Sequence, residues 1–263
     1  MMGEKTIFLC EDSVDGIFTG VYDAWDSRLG HENVKLALKG EANYELFACY
    51  REVETDREKA EKVANTLRRR LGSEDYYHIY QAALSRDGRK AAAIYRTVVA
   101  GLAGRRRGPV MRHLQDPDIC RVFELSRTTG NEAHRYYQFL RFRELESGVL
   151  FSEIKPENDV LPLIGEHFSD RFPGEHFLVY DRTHHTFLVH EAYKQWALVT
   201  GEELNREAIG KISEDEAQFA VLWKGFCRSI AIMERKNLRL QQQFLPMKFR
   251  AFMTEMSGDD GDL

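Results

Sequence analysis

The sequence predicts an α+β fold: an antiparallel sheet of two hairpins with an intervening helix, packed by helices and preceded by a small α/β N-terminal part. Three observations carry this. Strand-like and helix-like segments alternate through the first 72 residues. Apolar residues switch to period two between 138 and 200, and helical spacing returns around Phe219.

The elements follow in order. Residues 7–10 read as a short buried strand. Asp12 or Ser13 can cap a helix carrying Ile17, Val21, Trp25 and Leu29. Residues 44–50 have the aromatic content of a strand. Thr55 to Glu58 reads as a capping box, with the Thr55 hydroxyl accepting and Glu58 reaching back. The helix behind it turns Ala60, Val63, Ala64, Leu67 and Leu71 to one side, and Gly72 stops it. Residues 73–103 look helical, capped by Ser73 and broken at Asp87-Gly88. Asp116-Pro117 starts another helix, which is expected to end near Thr128 and to resume after Gly130-Asn131 through Arg135.

Residues 139–145 and 149–154 alternate as a hairpin about Ser147-Gly148. Asn158-Asp159 then caps a helix with Leu161, Ile164, Phe168 and Phe172 inward. A second hairpin pairs 177–180 with 187–190, and residues 192–200 can add a strand. Phe219, Leu222, Trp223, Phe226, Ile230 and Met233 mark a final helix. The loop around 101–109 is the best boundary, so the expected parts are 1–104, an α+β core at 105–256, and an acidic tail at 257–263.

Composition excludes several classes. The 263 residues are 43% hydrophobic, enough for a substantial core. The apolar run at 98–103 is far short of the roughly 20 residues that span a bilayer. No membrane partner and no leader segment are expected. The cysteines at 10, 49, 120 and 227 form no close pair, so neither a disulfide framework nor a CxxC zinc site is indicated. A reduced cytoplasmic protein is the expectation.

The net charge of −5 hides an asymmetry. Residues 104–143 hold nine Arg against four acidic residues, and residues 224–250 hold seven Lys or Arg against one Glu. Affinity for a polyanion follows local charge rather than the total. If the helix is unbroken, Lys224, Arg228, Arg235 and Arg239 fall within roughly a 60° stripe, with Lys236 beside them. The same stripe also fits the solvated side of an amphipathic helix. Arg141 and Arg143 share one face of the expected hairpin, where paired guanidinium forks suit phosphate. A bridge to Glu144 or Glu153 is the alternative. Arg105, Arg106 and Arg107 form a basic loop, and His134 with Arg135 precedes the hairpin.

Candidates for chemistry are sparse. His184, His185 and His190 lie on one hairpin, but a turn near His184 separates them and no HxH or HxxxH spacing occurs, so no metal and no cofactor are expected. His134 could donate to phosphate or shuttle a proton, or simply end a helix. Asp181 could be a functional carboxylate at a strand end or an ordinary turn former. His167 and Arg171, one turn apart beside Phe168 and Phe172, suit packing. No P-loop, GxGxxG after a strand, GxSxG elbow or kinase set is present. No catalytic residue can be named.

The blocks NEAHRYYQFLRF at 131–142 and FSEIKPENDVLPL at 151–163 resemble a bacterial domain-of-unknown-function family. HFSDRF at 167–172, VYDR at 179–182, LWK at 222–224 and RKN at 235–237 follow in the family's order. Its members are described as probable DNA metabolism or putative DNA repair proteins. The resemblance implies nucleic-acid work beside a radical-SAM partner, and some relatives are fused to a uracil-DNA glycosylase domain. The chain carries no such added segment, so no base-excision activity of its own is expected. Three readings follow: a DNA-binding module in repair or modification, a nucleic-acid-processing enzyme using His134 or Asp181 in a cleft, and a docking protein for the radical-SAM neighbour.

Overall fold

The computed structural model describes residues 5–40, 45–103, 108–201, 204, 206–229 and 245–256. The chain divides into two compact units, Met1–Asn131 and Glu132–Leu263.

The first unit opens with β1 (Lys5–Cys10) and α1 (Val14–Asp26), followed by β2 (Val34–Leu38) and β3 (Ala48–Glu52). They make a parallel sheet in the order β2-β1-β3. Ser13 is the cap of α1, its hydroxyl accepting from the Gly16 N–H at 2.9 Å. The expected strand at 44–50 is displaced to β3, and β2 was not anticipated. Its Val-Lys-Leu-Ala-Leu run has only one β-branched residue, a weak local preference. The structure nonetheless buries Val34, Leu36 and Leu38 in alternation.

Helix α2 (Arg57–Leu71) begins one residue later than the expected capping box. Asp56 is its cap, accepting from Lys59 N at 3.1 Å, while the Thr55 hydroxyl is drawn to Glu11 at 2.7 Å. Helices α3 (Ser73–Ala83) and α4 (Lys90–Leu102) break at Asp87-Gly88 as expected, with Gly72 rather than Ser73 in the cap position. Ile94, Tyr95 and Val98 of α4 are buried. Arg96 donates to the carbonyls of His31 (2.7 Å) and Val34 (3.1 Å), fastening α4 at the start of β2.

Helix α5 (Pro117–Phe139) starts at the expected Asp116-Pro117, whose carboxylate accepts from Asp118 and Ile119. It does not stop at Thr128. Gly130 lies inside it because Gln81 packs there: a Cβ on Gly130 would lie 2.9 Å from Gln81 Nε2. The glycine answers a close approach instead of breaking the helix.

The second unit holds β4 (Arg143–Glu144), β5 (Leu150–Ile154), α6 (Leu161–Arg171), β6 (Phe177–Asp181), β7 (Thr186–His190) and β8 (Ala197–Thr200). The sheet runs β4-β5-β6-β7-β8. The hairpin of β6 and β7 is as expected, and β8 pairs antiparallel with β7. The sheet is mixed, however, not wholly antiparallel: β5 pairs parallel with β6. A helix between two strands carries the chain back to its starting end, so the second strand runs with the first. The first hairpin is reduced to a two-residue β4, because α5 continues to Phe139 and takes the front of the alternating stretch. Asn158 and Asp159 do not cap α6; Val160 precedes it, and Pro162 fits the first turn, where no N–H is needed.

One-turn α7 (Arg206–Ile209), α8 (Glu214–Ser229) and a short helix at Met247–Arg250 complete the described residues. Phe219, Leu222 and Phe226, which mark the expected final helix, lie on α8 and are exposed. Ile230 and Met233 lie outside the described residues. Among the described residues no helix is long and apolar enough to cross a membrane.

Candidate nucleic-acid interface

The last turns of α5 carry His134, Arg135 and Gln138, all exposed. His134 Nε2 lies 3.3 Å from Gln138 Nε2. Its ring meets Tyr137 edge-on at 5.7 Å, and Tyr137 lies against His167 of α6 at 4.3 Å with 31° between the rings. The Tyr137 hydroxyl donates to the Leu163 carbonyl at 3.0 Å, which fixes this row of rings. Arg135 has no carboxylate partner among the described residues.

Arg141 is committed differently from its expected role. It precedes β4, so it shares no sheet face with Arg143. Its Nη1 donates to the carbonyls of Gln138 (2.8 Å) and Leu140 (3.2 Å), and its Nη2 to Glu255 at 3.3 Å. A cation on the last carbonyls of a helix stabilises that end. Arg143 lies over the Phe151 ring at 5.3 Å. Lys224 is half-buried on α8. The side chain of Arg228, and Arg105, Arg106, Arg107, Arg235, Lys236 and Arg239, lie outside the described residues.

Beneath the exposed turn, Glu132 is buried and anchors the loop leading to α6. Its Oε1 accepts from Glu157 N (3.0 Å) and Lys248 Nζ (2.6 Å). Its Oε2 accepts from Asn158 N (2.9 Å) and Asn158 Nδ2 (2.7 Å). Burial alone would raise its pKa, but the ammonium and the two backbone N–H groups outweigh it, and the carboxyl sits below its ordinary value. Burial, followed by the nearby carboxylates of Glu132 and Asp181, pushes the Tyr136 phenol up, so it stays neutral. Neither Glu132 nor Lys248 stood out in the sequence as a pair, since more than a hundred residues separate them.

The histidines of the second hairpin diverge. His190 is buried, stacked on Phe177 at 4.6 Å, with Nδ1 on the Glu175 carbonyl at 2.9 Å. His185, at φ 53°, meets the Tyr180 hydroxyl at 3.0 Å. His184 Nδ1 meets Asp181 Oδ2 at 2.6 Å, and Asp159 lies close to both. Asp181 therefore meets His184, while His134 meets Gln138 and Tyr137, so the two candidate catalytic groups have different neighbours among the described residues. Asp159 escaped the sequence reading because it looked like a helix cap. Only the parallel register of β5 and β6 brings it to the end of the second hairpin.

No curated protein matches the sequence. A solved DHH domain, from a member of the s1p family of ribosomal proteins, is similar at 9% identity over 72% of this chain and 74% of that one; its TM-score of 0.34 is too low to carry an argument. Residues 88–255, more than half of the chain, match the domain-of-unknown-function family DUF4130, and the chain belongs to that family.

Proposed function

We propose that the chain is a nucleic-acid-binding protein of DNA repair or modification that works beside a radical-SAM partner. The observation that carries the binding is the exposed end of α5. An imidazole, a guanidinium and an amide project side by side from His134, Arg135 and Gln138, next to the ring row of Tyr137 and His167. Cationic and hydrogen-bonding groups beside aromatic faces suit a phosphate backbone with unstacked bases. The repair setting and the partner rest on the family resemblance.

The test is fluorescence anisotropy with single- and double-stranded DNA between 50 and 200 mM salt. Affinity should fall steeply with salt. The double variant His134→Ala, Arg135→Ala should bind about tenfold more weakly, with a log–log salt slope shallower by about one. Binding that ignores salt, or a double variant indistinguishable from the parent, would overturn the assignment.

A second reading has its own support. Phe219, Leu222 and Phe226 leave an exposed apolar side on α8, of the kind that marks protein–protein contact. Co-purification with the radical-SAM protein in the absence of any DNA affinity would select docking instead.

A further inference from the structure

We propose that Asp159, Asp181 and His184 form a binding site for a divalent transition-metal ion, with zinc the best match. One donor atom of each residue lies within 4.8 Å of the other two. Two stretches supply them: the end of β6 with the turn that follows it, and the loop before α6. The register that sets Ile154 opposite Asp181 lets the loop leaving β5 return beside that turn.

Charge favours a cation here. Two carboxylates this close repel, and Asp181 is fully buried, where an uncompensated charge is costly. His184 Nδ1 lies 2.6 Å from Asp181 Oδ2, so the imidazole shares this corner with the two carboxylates. A dication offsets both negative charges, and the imidazole binds it through a nitrogen that carries no proton.

Geometry favours it as well. Asp181 Oδ1 accepts from the backbone N–H groups of Thr183 (2.7 Å) and His184 (3.2 Å), which orients the carboxylate and leaves Oδ2 for an ion. Donors around tetrahedral zinc stand roughly 3.4 Å apart, so the three atoms need to move by only about 1 Å. The turn at 182–185 that carries His184 is exposed, with freedom to make that adjustment. One nitrogen with two carboxylate oxygens suits zinc or manganese better than magnesium or calcium, which take oxygen alone. Three protein donors leave a fourth position for water or a phosphate oxygen.

The site shares no residue with the α5 surface, so its test is independent of nucleic-acid binding. The full chain, stripped with a chelator, is titrated with Zn²⁺ alone by calorimetry. One ion per chain is expected, with binding at least thirtyfold weaker in Asp159→Asn and in His184→Ala. Cobalt(II) bound to the unaltered chain should show ligand-field bands without a thiolate charge-transfer band, a readout that needs no variant to fold. No uptake by the unaltered chain, undiminished uptake in both variants, or a thiolate band from the cysteines would each overturn the proposal.

Discussion

Glu132 uses two oxygens to accept four hydrogen bonds, from two backbone N–H groups, an amide and an ammonium. A glutamine keeps one accepting oxygen and turns an NH₂ toward donors. Glu132→Gln should therefore destabilise by about 3 kcal/mol, moderated by the partial exposure of Lys248. The pH dependence has a definite sign. The folded pKa is depressed, so the contribution is fully present above the ordinary value of 4.5 and is lost as pH falls through the folded value. Urea titrations should show the gap between parent and variant narrowing below about pH 4.5; a constant gap would assign the cost to packing alone. The importance of this residue was hidden in the sequence. Glu132 stood there as a neighbour of His134, while its partners come from 157–158 and 248.

At the scale of elements, α6 meets the sheet through a glycine. A Cβ on Gly165 would lie 2.7 Å from the Trp196 ring and 2.9 Å from Leu188 Cδ1. Gly165→Ala gains about 1 kcal/mol of helix propensity but forces a rigid indole and a core leucine apart, at about 1–3 kcal/mol. A lower urea midpoint, by about 1 kcal/mol of stability, is the expected outcome; an unchanged or higher midpoint would show that Trp196 yields easily. Elements of this kind divide by how locally they are specified. The hairpin of β6 and β7, the start of α5 at Asp116-Pro117 and the break before α4 follow from nearby turn and cap chemistry, and all were legible. The length of α5 and the existence of β2 depend on Gln81 and on the parallel pairing with β1. Sequence periodicity cannot report such distant partners.

At the scale of the whole molecule, the mixed sheet was the main departure, and it follows from one helix joining two strands that had each been assigned to a separate hairpin. The candidate interface was legible only in part. His134 and Arg135 stand exposed, whereas Arg141, expected to meet phosphate, binds its own helix end and Glu255. An arginine's readiness for an external anion depends on which carbonyls and carboxylates the fold sets around it, and these come from residues far along the chain.

The way α4 is fastened to β2 has a practical consequence for dissection. The family match begins at residue 88, just ahead of α4. A fragment cut there would keep Ile94, Tyr95 and Val98 but lose Val34, Leu36 and Leu38, which share their core. The expressed piece 88–255 should bind a hydrophobic dye and aggregate, while the full chain does neither. If the fragment instead stays monomeric and folds cooperatively, α4 has another surface to lie against. The shared portion of the sequence is thus a unit of inheritance whose edge does not coincide with a unit of folding, and a boundary drawn by resemblance would pass through the middle of a core.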